Sequence, residues 1–89
     1  MTKVIKFYAT WCGPCKVYAK TFDKVEKSIT EIYGTVEFLN VDIEKDTTGL
    51  AAQYKVGNIP FTVVEKDGIV KTHTGRMSED KLNSFILDE

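Results

Sequence analysis

Apolar positions along the chain change period several times, and each change marks an element. Val4, Ile5, Phe7, Tyr8 and Ala9 form a strand-sized run interrupted only by Lys6, the pattern of a strand covered on both faces. From Cys15 onward, Tyr18, Ala19, Phe22, Val25, Ile29 and Ile32 recur at helical spacing. Pro14 suits the first turn of that helix and Gly34 falls just past its end. A second strand follows over 35–42, so the three elements make a βαβ unit with parallel strands and a right-handed connection. "KDTTGLAAQYKVG" predicts a short helix capped by Asp46 or Thr47 and ended by Gly57. After Pro60, "FTVVEKDGIVKTHTG" predicts two strands joined by a tight turn at Asp67 and Gly68. Ser78, Glu79 and Asp80 then open a closing helix that carries Leu82, Phe85 and Ile86 on one face. The expected class is α/β, in the order βαβαββα, with a four-stranded mixed sheet flanked by helices.

A chain of 89 residues has room for one domain, expected here over 1–89. Hydrophobic content of 43% and charged content of 28% are those of a soluble globular chain, and no apolar run is long enough to span a membrane. The net charge of −1 divides into +3 through Tyr33, from six Lys against Asp23, Glu26 and Glu31, and −4 beyond it. No basic block points to nucleic acid. The opening "MTKVIKFYAT" is strand-like and lacks a small-residue cleavage pattern, which leads to the expectation of a cytoplasmic protein.

The chemistry is concentrated in "ATWCGPCKVY", residues 9–18, which holds both cysteines of the chain. A bridge between them closes too short a loop to restrict the unfolded chain much, so reactivity explains the pair better than stability. A free thiol with pKa near about 8.5 is mostly protonated at neutral pH. At the start of the long helix, unpaired N–H groups and the positive end of the dipole would favour the Cys12 thiolate. Cys15 lies one turn further in. Gly13 leaves the approach to the sulfur open, and Pro14 stiffens the turn without removing a helical N–H. A two-step exchange is expected: Cys12 attacks a substrate disulfide, then Cys15 attacks Cys12 and releases the reduced substrate. Structural zinc is disfavoured because His73 is the only histidine available to complete a ligand set. A copper-carrying loop is disfavoured by the stiff Pro14.

"FYATWCGPCK" resembles the active-site sequence of thioredoxins, and "YKVGNIP", the Asp67–Gly68 hairpin and Gly75 are similar to the rest of that family's pattern. The resemblance implies a thioredoxin-like fold, with Cys12 as the attacking sulfur, Cys15 as the resolving one and Trp11 as a packing shield beside them. It further implies a cis bond before Pro60 facing the cysteines, and a substrate groove at Trp11, Ile59, Pro60 and Gly75 in which Ile59 offers main-chain hydrogen bonds. No bound cofactor is expected beyond a redox-active Cys12–Cys15 disulfide. The implied partners are disulfide-containing proteins and a thioredoxin reductase, a flavoprotein using a nicotinamide nucleotide. The chain is expected to act as a monomer in cellular redox homeostasis and electron transport.

Several positions depart from that pattern. The active-site strand starts almost at once, as in a minimal, glutaredoxin-sized form of the fold, giving the sheet order 36–41, 4–9, 61–66, 69–74 with Glu37 discouraging pairing at one edge. Lys6 stands where thioredoxins usually carry a buried aspartate. It either acts on Cys15, favouring the thiolate by charge or taking its proton when neutral, or reaches out to solvent. Phe61 replaces a usual threonine and is expected in the core; Lys20 replaces a common proline. Lys16 belongs to a solvated helix face with Lys20, Lys24 and Lys27 and would steer an acidic partner. His73 is expected to face solvent. Two other readings remain at this point: a glutaredoxin-like enzyme reduced by glutathione, and a non-enzymatic binding subunit that uses the same groove.

Overall fold

The computed structural model describes residues 1–88; Glu89, the last residue of the expected domain, lies outside the described residues. Its elements are β1 (Thr2–Tyr8), α1 (Gly13–Ile32), β2 (Val36–Asp42), α2 (Leu50–Gln53), β3 (Phe61–Lys66), β4 (Ile69–Thr74) and α3 (Glu79–Leu87). The sheet order is β2-β1-β3-β4. The β1/β2 pair is parallel, whereas β1/β3 and β3/β4 are antiparallel. This is the expected mixed sheet and strand order. Strand β1 begins two residues before the apolar run, because Thr2 and Lys3 are paired on both sides, to Val36 and Glu37 of β2 and to Lys66 and Glu65 of β3.

Central position explains the near-continuous apolar reading of β1. Successive side chains point to opposite faces, and both faces are covered. On one, Val4 joins Tyr18, Phe22, Val25 and Ile29 of α1 and Leu82 and Ile86 of α3. On the other, Ile5 and Phe7 join Val41, Phe61 and Val63, with Leu50, Ala51 and Tyr54 packed over them. Phe61 is core, as expected, with its ring centroid 6.2 Å from that of Phe7. Lys20 is exposed on α1, which runs without interruption past the position of the usual proline.

Polar contacts tie the layers together. The hydroxyls of Tyr18 on α1 and Thr62 on β3 share a buried hydrogen bond of 2.7 Å. The Tyr54 hydroxyl donates to Glu65 Oε1 at 2.8 Å, anchoring α2 to β3. Ser78 caps α3 as expected, its hydroxyl accepting from Lys81 N–H. The other end of α3 is held by Lys71 Nζ, which donates to the Phe85 carbonyl at 2.6 Å and pairs with Asp88.

Helix α2 differs from expectation at both ends. It starts at Leu50, after Gly49 in the left-handed region with φ +78°, and neither Asp46 nor Thr47 is its N-cap. Asp46 instead braces the preceding turn, accepting from Thr48 N–H at 2.8 Å and Ala51 N–H at 3.0 Å. The helix closes before Gly57, because Lys55 takes a positive φ of 54°. Lys55 N–H then reaches the Ala52 carbonyl and Val56 N–H the Ala51 carbonyl, the paired bonds of a Schellman closure.

The bonds from the Thr48 hydroxyl and from Ala51 N–H hold the Asp46 carboxyl below its ordinary value of 3.8. A carboxyl depressed in the folded state stabilises that state above its unfolded pKa, and the contribution disappears as pH falls through the folded value. Below pH 3.8 the Thr48 and Ala51 amide proton shifts should therefore move together with one acid midpoint. In Asp46→Asn that transition should be absent; its persistence would assign it to another group.

Candidate active site

Strand β1 ends at Tyr8 and delivers Cys12 to the start of α1, where it is the N-cap, in extended conformation with φ −84° and ψ 110°. Cys12 Sγ accepts from Cys15 N–H at 3.2 Å, satisfying one of the amides that every helix start leaves free. The capping atom is thus the reactive sulfur, placed where backbone amides and helix dipole favour negative charge. Pro14 occupies the first turn and the two cysteines form a disulfide with Cα atoms 5.2 Å apart. A side chain at Gly13 would meet nothing within 4 Å; the glycine leaves open space beside the motif.

Both sulfurs are more covered than the two-step expectation of an open Cys12 allowed. Cys12 is 5% exposed and Cys15 2%, in a cluster with Ala9 and the half-buried Tyr8, Ile43 and Ile59. Hydrogen bonding, more than exposure, distinguishes them. Cys12 Sγ accepts from the Cys15 amide, and the Ile59 carbonyl oxygen, which a disulfide sulfur cannot donate to, lies 3.9 Å from it.

The Ile59–Pro60 bond is cis, as the resemblance implied. Gly75 N–H donates to the Pro60 carbonyl at 2.8 Å, and Gly75 holds φ +97°, a conformation that favours glycine whatever the space around it. Ile59, Pro60 and Gly75 are therefore joined in one framework, and Ile59 brings it to Cys12. Trp11 is 65% exposed, so it is not part of the core. With the exposed Val17 it supplies apolar surface at the start of α1. Lys16 is exposed on the same helix.

Lys6 does not reach solvent. It is 5% exposed, and its Nζ lies 5.1 Å from the Phe22 ring centroid and 5.3 Å from that of Tyr8. Burial pushes its amine pKa down, while the negative charges of Asp23 and Glu26 oppose that shift. A cavity of about 480 Å³ brings Lys6 together with Tyr8, Cys15, Lys16, Asp23 and Asn40. Sequence reading did not single out Asp23 or Asn40. Asp23 stands four residues after Ala19 and eight after Cys15, a helical stripe that could have revealed it. Asn40 is brought in by its register with Lys6, which no local pattern encodes. His73 is half-buried rather than solvent-facing, its ring meeting the Phe85 ring edge-on at 6.1 Å. Among the described residues no group of three or more His, Cys, Asp or Glu side chains could hold a metal ion.

A mixed four-stranded sheet with a disulfide at a helix N-cap, beside a cis-proline loop, defines a thioredoxin-fold dithiol protein. The Thioredoxin family model matches residues 1–88, and the chain belongs to the thioredoxin family. The mitochondrial thioredoxin of Mus musculus is 37% identical over 84 residues, which cover 93% of this chain and 48% of that protein. The thioredoxin of Borreliella burgdorferi is 31% identical over 86 residues, covering 96% of this chain and 70% of that one. Among solved structures, Fasciola hepatica thioredoxin superimposes with a TM-score of 0.82 at 35% identity, over 98% of this chain and 79% of its own. The chain spans about half the length of the mitochondrial relatives it matches. The cytoplasmic expectation is corrected by these comparisons. Relatives named mitochondrial and chloroplastic carry the same domain, so a strand-like opening does not specify the cytoplasm.

Proposed function

We propose that this chain is a dithiol–disulfide oxidoreductase that reduces protein disulfides, acting as one domain and as a monomer with no bound cofactor. The observation that carries this reading is the Cys12 sulfur capping α1 at 3.2 Å from Cys15 N–H. In the reduced protein the same amide and the helix dipole stabilise the Cys12 thiolate. That thiolate attacks one sulfur of a substrate disulfide, forming a mixed disulfide and expelling the other sulfur as a thiolate. Cys15 then attacks Cys12, and the substrate leaves with two electrons gained. Trp11, Ile59, Pro60 and Gly75 form the substrate-facing rim, Gly13 and Pro14 shape the motif, and Lys16 steers acidic partners. Family membership supports disulfide-containing proteins as substrates and a thioredoxin reductase as electron donor, within cellular redox homeostasis and electron transport.

The test is turnover of a protein disulfide with each donor in turn, together with the potential of the Cys12/Cys15 couple. Turnover with thioredoxin reductase and a nicotinamide nucleotide, at a potential near about −270 mV, is the expected result. Turnover with glutathione alone, near about −200 to −230 mV, would replace it with the glutathione-coupled reading. Full biological activity in a Cys12→Ser, Cys15→Ser double variant would mean a binding subunit.

A further inference from the structure

The cavity beside Cys15 is lined by Lys6, which makes no ion pair within contact distance among the described residues. The ion pairs among the described residues are Met1–Asp67, Lys24–Glu79 and Lys71–Asp88, and none involves Lys6. Its amino group is held near the Phe22 and Tyr8 rings, whose faces favour a cation. Cys15, in the wall of the same cavity, is the group there that becomes an anion during disulfide exchange.

We propose that Lys6 is a positioning residue for the resolving sulfur: as an ammonium it stabilises the Cys15 thiolate across this cavity. The proposal rests on the oxidoreductase reading above. Charged and titratable neighbours come from two elements. Tyr8 lies beside Lys6 on β1, and α1 contributes Lys16, Asp23 and Glu26. Strand β2 offers neutral Asn40, and on β3 the register partner of Lys6 is Thr62, whose hydroxyl is engaged with Tyr18. Asp23 is exposed and Glu26 half-buried, so water and salt screen their opposition to the thiolate more than they screen the buried Lys6, where charge acts at lower effective dielectric. The exposed Lys16 acts in the same direction as Lys6.

The step balances without a base. In the mixed disulfide the Cys15 thiol loses its proton to water, and the thiolate attacks Cys12 Sγ. The Cys12–Cys15 bond forms and the Cys12–substrate bond breaks. The substrate leaves as a thiolate that takes a proton from water, and the cysteine pair is oxidised by two electrons. Lys6 neither gives nor takes a proton in this scheme. Because its charge favours a thiolate and gives nothing to a disulfide, it also shifts the couple toward the dithiol state wherever Cys15 is ionised.

The decisive measurement is the Cys15 pKa in a Cys12→Ser background, followed by thiolate ultraviolet absorbance with Lys6 present or replaced by Met. Lys6→Met should raise that pKa by about one unit, a tenfold loss of thiolate at a pH below it. In the two-cysteine protein, at a pH above the Cys15 pKa, the same change should favour the disulfide about tenfold, lowering the potential by about 30 mV. By reciprocity, Lys6 should titrate higher, by the same factor, beside the thiolate than beside the disulfide, a shift readable by NMR of its side chain. An unchanged or lowered Cys15 pKa in Lys6→Met overturns the proposal. Lys6→Gln, a second neutral variant, keeps the test intact if the Met protein does not fold. A Lys6-dependent Cys15 pKa in a protein inactive toward protein disulfides would reject the activity and retain the coupling; an active protein with a Lys6-independent pKa would reject the coupling alone.

Discussion

Replacing Cys15 with Ser should turn the protein from a turnover catalyst into a trap. Cys12 keeps its place as N-cap of α1, so the attacking sulfur retains the helix-terminal amides and dipole that favour its thiolate. The Cys15 amide, being backbone, survives the substitution and can still donate to that sulfur. What disappears is the second nucleophile, and without it the mixed disulfide has no internal route to resolution. Stoichiometric covalent adducts between Cys12 and a substrate protein should accumulate and dissolve on adding external thiol. Steady-state reduction should fall to background, roughly 10³-fold or more below the parent, the scale on which loss of a reacting residue acts. Cys12→Ser should lose turnover to the same extent but form no comparable adduct. Mass spectrometry of both variants after incubation with a disulfide-bonded protein separates the roles. Equal trapping by the two would mean that either sulfur can attack first.

The largest stability loss from one substitution is expected at Phe22→Ala. Phe22 is fully buried, with its ring 6.0 Å from Tyr18 and 5.8 Å from Phe38, and it lines the face where α1 meets the sheet. Truncation removes an aromatic side chain and leaves a cavity, at a cost of about 3–5 kcal/mol. A domain of this size has about 5–15 kcal/mol in total, and each kcal/mol lost lowers Tm by roughly 4–8 °C. The variant should therefore melt roughly 12 °C or more below the parent and unfold at a far lower urea midpoint. Trp11→Ala is the control: its ring is large but exposed, and its loss should alter stability by no more than about 0.5 kcal/mol. A loss below about 1 kcal/mol at Phe22 would show that neighbouring side chains collapse into the space.

Much of this protein follows from patterns that act over a turn or two of chain. Alternation and helical spacing mark the strands and long helices, Ser78 caps α3 where a capping residue precedes acidic first-turn positions, and Asp67–Gly68 closes the last hairpin. The spacing of Cys12 and Cys15 places both sulfurs at one helix start, because the geometry of a single turn suffices for it. The βαβ connection and the short hairpin gave the β1/β2 and β3/β4 pairs, whereas the full sheet order was implied by the family resemblance.

Other features depend on what comes to lie across from a residue, and one-dimensional patterns do not contain that information. Trp11 stands beside Cys12 in the sequence, but only the fold shows that it is left 65% exposed. Lys55, with no special sequence mark, closes α2 in a positive-φ conformation, since the closing hydrogen bonds outweigh the preference for glycine. Lys6 is the sharpest case. The amino acid sequence by itself determined that a lysine interrupts the central strand near the cysteines; only the tertiary structure decided that its ammonium stays inside, beside two rings and in one cavity with Cys15. The reason is physical: a side chain's direction follows from strand periodicity, but its solvation is set by the helix packed above it, and α1 covers that face of the sheet.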